Sequence, residues 1–174
     1  HTLTTTSTQG GSGTRYVFAS WSDAGGQTHT VTAPSTATVY TAQFTTQYLL
    51  TTGVSPSGGG GVAASPTSAD GYYNAGTAVQ LTATASSGYQ FTGWSGDLSG
   101  STNPQAVTMS APRTVTASFV ALSGITVTTN PPGLSFTVDG AAYSAAQSFS
   151  WLPGSTHTLT TTSTQGGSGT RYVF

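Results

Sequence analysis

The side chains able to do acid–base or ligand chemistry are few and scattered. They are Asp23, Asp70, Asp97 and Asp139, His1, His29 and His157, Arg15, Arg113 and Arg171, and the tyrosines. No two aspartates are close in sequence, so a paired-carboxylate site needs the fold to unite them. Asp70 and Asp139 each precede a glycine, which is a turn role. Asp23 and Asp97 follow a tryptophan at equivalent places and read as a shared loop cap or side-chain turn. As a calcium site, one carboxylate per loop falls short of the about six to eight oxygens that cation takes. His1 and His157 are one repeat position, and no third or fourth zinc ligand stands at a suitable spacing. Serine is abundant, yet no Gly-x-Ser-x-Gly elbow with triad partners stands out. The run Gly58-Gly59-Gly60-Gly61 lacks the lysine and the helix of a phosphate loop and reads as a hairpin loop. The expectation is no catalytic, cofactor-binding or metal-binding residue, no cofactor, and no enzyme.

The aromatic residues Trp21, Trp94, Trp151, Tyr16, Phe18, Tyr89 and Phe91 read as core, each burying on the order of 150–250 Å². The functional alternative makes some of them sugar-stacking platforms. Thr-x-Thr alternation over 2–6 and 158–162 is what strand propensity alone produces.

Those residues must be positioned by strands. Charged residues are 4% of the 174-residue chain, against about 25% in ordinary domains. There is no Lys, Glu or Cys, while Ser and Thr supply about a third of the letters. Thr, Val, Tyr and Phe form strands, and the helix formers are nearly missing, so the chain is all-β. A net charge of −1 with no basic stripe argues against nucleic acid. No apolar run approaches a membrane span. Missing Cys excludes a disulfide scaffold, and missing Lys excludes a Lys–Asn isopeptide bond. The exchange of Lys and Glu for Ser and Thr points to an extracellular or cell-surface location.

Strands are expected over 2–6, 15–21, 28–33 and 37–44. In the last of these Tyr40, Ala42 and Phe44 form the core face. Further strands are expected over 48–52, 62–65, 71–74, 78–85, 89–94, 106–109 and 114–119, then 125–129, 134–138 and 147–152. Turn letters separate them, including Gln9-Gly10-Gly11-Ser12-Gly13, Asp70-Gly71 and Asp139-Gly140.

Two repeats overlie this pattern. Residues 1–18, HTLTTTSTQGGSGTRYVF, return unchanged as 157–174, a spacing of 157 − 1 = 156. Identity that includes the turn letters marks a periodic array, of which the chain reads as one phase. An older repeat aligns Tyr89-Gln90-Phe91-Thr92-Gly93-Trp94 with Tyr16-Val17-Phe18-Ala19-Ser20-Trp21. It also aligns Thr114-Val115-Thr116-Ala117-Ser118-Phe119 with the segment ending at Phe44. The chain therefore divides into 1–47, the second half of a unit B; 48–121, a complete unit A; and 122–174, the first half of unit B.

Unit A resembles the divergent internalin-type B-repeat family of bacterial surface proteins, most clearly over 48–120. The resemblance rests on Gly58-Gly59-Gly60-Gly61-Val62, Tyr73-Asn74-Ala75-Gly76-Thr77, Gly88-Tyr89-Gln90-Phe91-Thr92-Gly93-Trp94-Ser95-Gly96-Asp97, Asn103-Pro104 and Met109, and on the strand over 114–119. Residues 125–140 are closer to PEGA-type surface domains. The resemblance implies small β modules in series, without catalytic residues. The fold expected is tandem small β-sandwich or β-grasp-like modules in a repeat array. The function expected is an extracellular fibre, stalk or sheath built by head-to-tail continuation or strand complementation. Its partners would be copies of itself, with no nucleic acid and no membrane insertion. An adhesin or carbohydrate-binding module facing cell-surface glycans is the alternative.

Overall fold

A computed structural model describes residues 1–173, and the fold is all-β with no helix among them. Residues 1–85 with 91–119 form one compact unit, and residues 86–90 with 120–174 a second.

The first unit begins with β1 (Thr2–Thr4), β2 (Thr8–Gly11), β3 (Thr14–Trp21) and β4 (Thr28–Thr30). Then come β5 (Ala42–Ser55), β6 (Gly60–Ser65), β7 (Tyr72–Asn74), β8 (Ala78–Ala85), β9 (Tyr89–Gly96), β10 (Gln105–Thr108) and β11 (Arg113–Ala121). A six-stranded sheet runs β2-β3-β5-β11-β9, with β7 also on β5. A three-stranded sheet runs β10-β8-β6, and β1 pairs with β4 alone.

The core lies where unit A was read. In β8, Val79, Leu81 and Ala83 are buried while the residues between them are exposed. In β11, Val115, Ala117 and Phe119 are buried. This period of two gives each strand one inward face. Met109, Trp94 and Leu98 join them. Gly60 is required here, because a Cβ at that position would meet the Phe119 ring and the Thr84 carbonyl.

Residues 1–47 are packed differently. Phe18, Trp21 and Phe44 form an aromatic cluster, with Phe18 edge-on to Phe44 at 6.1 Å and 6.3 Å from Trp21. All three are only half-buried, and no residue of 1–47 reaches full burial. The expected faces are present, since Tyr40, Ala42 and Phe44 are less exposed than Val39, Thr41 and Gln43. Strand pairing starts only at Ala42, however. β3 ends at Trp21, so nothing lies opposite residues 37–41 beyond the contacts of Thr41 with Ser22.

The two strands expected over 37–44 and 48–52 are one strand. β5 crosses position 47 without a break. Its first half pairs antiparallel with β3, from Trp21↔Ala42 to Thr14↔Tyr48. Its second half pairs parallel with β11, from Arg113↔Leu50 to Ser118↔Ser55.

The second unit holds β12 (Ser123–Val127), β13 (Phe136–Val138), β14 (Ala141–Tyr143), β15 (Gln147–Trp151), β16 (Leu159–Thr160), β17 (Thr164–Gln165) and β18 (Tyr172–Val173). β12 pairs with β15, β14-β13-β16 form a three-stranded sheet, and β17 pairs with β18. Phe136 and Val138 are its buried apolar residues. Tyr143 bridges Phe136 at 5.7 Å and Phe149 at 5.8 Å.

Candidate functional site

Each aspartate holds a turn or a strand end. Asp97 accepts from Thr114 N at 2.7 Å and from Arg113 Nη1 at 3.0 Å. The Thr114 amide first and the guanidinium second keep its carboxyl below the ordinary value. Asp23 accepts from Gly25 N at 3.1 Å and lies 2.9 Å from His29 Nε2, and the Gly25 amide is the main cause of its lowered pKa. The equivalent aspartates thus cap differently: Asp23 closes its own loop, and Asp97 reaches the start of β11. Asp70 meets Arg15 Nη1 at 2.5 Å and accepts from Tyr72 N at 3.2 Å. Its pKa is lowered by Arg15 first.

Asp139 belongs to an arrangement the spacing did not reveal. Its Oδ2 lies 2.7 Å from His157 Nδ1, and His157 Nε2 lies 2.8 Å from Ser155 Oγ. Asp139 also accepts from Thr158 N at 2.9 Å, and His157 is the first cause of its lowered pKa. Acid, imidazole and hydroxyl stand in the order of a nucleophilic triad. Ser155 Oγ, however, also donates to Leu152 O at 2.7 Å, within its own turn. The His157 ring lies flat on Trp151 at 3.9 Å. The array ties the turn after β15 to the turn after β13. The Asp139-Gly140 turn and the Ser155-x-His157 spacing were the visible signals, but only the β13–β16 pairing unites them. No group of three or more metal-ligating side chains occurs among the described residues.

Trp94 and Trp21 take positions of one kind. Trp94 Nε1 donates to Thr102 O at 2.8 Å and Trp21 Nε1 to Gln27 O at 3.3 Å. The ring of Trp94 is buried, and Trp21 and Trp151 are half-buried.

The two copies of the 18-residue stretch are both folded, with different neighbours; Phe174 lies outside the described residues. In the first copy β1 pairs with β4, and β3 pairs with β5. In the second copy β16 pairs with β13, and β18 pairs only with β17 among the described residues. The hairpin itself is the same: Thr8↔Val17 and Gln9↔Tyr16 become Thr164↔Val173 and Gln165↔Tyr172. Beside the second copy lies an open cleft of about 740 Å³, whose lining includes Leu134, Phe136, Leu159, Arg171, Tyr172 and Val173. Leu159, Tyr172 and Val173 remain exposed there. This cleft is the candidate site of the second unit, and its lining is mostly apolar and threonine side chains.

With that geometry in place, residues 50–123 match the family model of the divergent InlB B-repeat domain. The match falls close to the 48–120 expected from the motifs. No curated protein and no solved structure matches the chain.

Proposed function

We propose that this B-repeat-bearing chain is a non-enzymatic structural module of a secreted tandem-repeat protein, one that builds an extracellular fibre, stalk or sheath head to tail. The match of residues 50–123 to the divergent InlB B-repeat domain supports this reading, and no helix of the described residues is long and apolar enough to cross a membrane. The observation that carries the reading is β5. One strand pairs with β3 of residues 1–47 along its first half and with β11 of residues 48–120 along its second, so the two segments share one sheet instead of a linker. In repeat arrays each unit contacts its neighbours and the chain grows in one dimension.

The test uses chains of two and three 156-residue periods. Their maximum dimension in solution scattering is expected to rise in proportion to the number of periods. Collapse to a constant dimension, with glycan binding lost on substituting an exposed aromatic such as Tyr16, would favour an adhesin and sink the fibre reading.

A further inference from the structure

We infer that His29 and His157 are imidazolium clamps, each holding a turn through two donated hydrogen bonds. Both turns loosen when rising pH removes a proton from each ring. The inference goes beyond the fibre reading and does not need it. Each cluster lies whole within its own unit.

A neutral imidazole donates from one nitrogen and accepts at the other. It donates from both only when it carries both protons, as a cation. The surroundings of His29 and His157 offer acceptors alone.

In the first unit the loop after β3 wraps His29. Gly26 O lies 2.9 Å from Nδ1, and a carbonyl oxygen only accepts. Asp23 Oδ2 lies 2.9 Å from Nε2. Asp23 Oδ1 accepts from Gly25 N, and that bond is the first cause holding the carboxyl below its ordinary value. The ionised carboxylate also only accepts, so His29 donates twice. Gly25 is pressed against the ring, with no room for a Cβ. Trp21 packs on its other side, 5.8 Å between ring centres. On β1, Leu3 faces His29, and the His1 amine is bonded to Val31 O. Asp23 is the ion-pair partner of the ring.

In the second unit the partners differ and the count is the same. His157 Nδ1 meets Asp139 Oδ2 at 2.7 Å. Asp139 Oδ1 accepts from Thr158 N, and the carboxyl is lowered by His157 first. On the other side Nε2 meets Ser155 Oγ at 2.8 Å. The one hydrogen of that hydroxyl goes to Leu152 O, so Oγ accepts from the ring. A nucleophilic triad runs the other way, with the serine giving its proton to the imidazole. Trp151 lies parallel to the ring at 3.9 Å and 10°, and an indole face favours a cation. Asp139 is the ion-pair partner here.

With both rings charged, each of the four aspartates meets a cation of its own: Arg15, Arg113, His29 or His157. Loss of the two protons leaves two carboxylates without a counter-charge. It also leaves one nitrogen of each ring facing an acceptor with nothing to donate. The sign follows from linkage. A ring that holds its proton more firmly folded than unfolded adds stability below about 6.5, the unfolded value. That stability is lost as pH rises.

Nitrogen-15 spectra of the imidazoles in the full-length chain test the clamps. At about pH 7.5 both ring nitrogens of His29 and His157 are expected to be protonated, whereas the chain in urea shows neutral rings. Asp23→Asn is expected to neutralise His29 alone, and Asp139→Asn to neutralise His157 alone. Thermal melts give the second readout. Tm is expected to fall between about pH 6 and about pH 9, and the double variant Asp23→Asn with Asp139→Asn to lose most of that fall. Rings that each hold a single proton in the folded wild-type chain overturn the clamps, whether or not the variants fold. Cationic rings with a level Tm across the same window overturn the switch.

Discussion

Arg15 and Asp70 are 55 residues apart in the chain and 2.5 Å apart in space. The same guanidinium lies 4.0 Å from the centre of the Tyr72 ring. One side chain of the half-module thus grips the turn before β7 of the complete module. The exposed ion pair adds little, whereas the cation–π contact is worth about 0.5–1 kcal/mol. Arg15→Ala is expected to lower Tm by about 2–4 °C, and Arg15→Lys to recover only part of that, because ammonium loses the planar stacking. Thermal melts of the two variants check this, and an unchanged Tm for Arg15→Ala would refute it.

Leu81 and Leu159 should respond very differently to the same truncation. Leu81 has no exposed surface, and Leu159 is 56% exposed. Leu81→Ala is expected to cost about 2–5 kcal/mol, and Leu159→Ala about 0.5 kcal/mol or less in dilute solution. Denaturant melts decide, and equal losses would mean that the second unit is already closed at that strand.

The pH dependence follows from the aspartates. All four have pKa values lowered in the folded chain. A carboxyl lowered on folding contributes stability above its unfolded value, about 3.9, and loses it as pH falls through the folded value. Tm is therefore expected to fall as pH drops from about 4 towards about 2. Asp97→Asn should flatten that fall by losing the charge that accepts from Thr114 N. A flat Tm across this window would contradict the assignment.

Ser155 provides a check on the non-enzymatic reading. With its hydroxyl donated to Leu152 O, it is expected to react with a fluorophosphonate no faster in the folded chain than in urea. Selective labelling of Ser155 that disappears in His157→Ala would reverse this expectation and identify an activated nucleophile.

Much of the fold was legible because unit A alternates cleanly. The buried Val79, Leu81, Ala83, Val115, Ala117 and Phe119 are every second residue of two strands whose one face is core. β5 was not legible as one strand because the sequence marks the module joint near Gln47 by a change of repeat, not by turn residues. Gly10 and Gly11 are turn letters in the sequence, yet the pairing of β2 with β3 recruits these glycines into the ladder. Residues 37–41 have strand letters and no strand, since pairing needs a neighbour that ends at Trp21. The Ser155–His157–Asp139 array escaped for a related reason: its members meet through a ladder between segments, and spacing along the chain does not encode that.

The continuity of β5 also has a mechanical meaning. Tension entering at Ala42 and leaving at Ser55 runs along the strand, across the hydrogen bonds that tie it to β3 and β11. Those bonds are loaded together, in shear, instead of being opened one after another from an end. The joint at Gln47 therefore resists extension through whole ladders instead of single bonds.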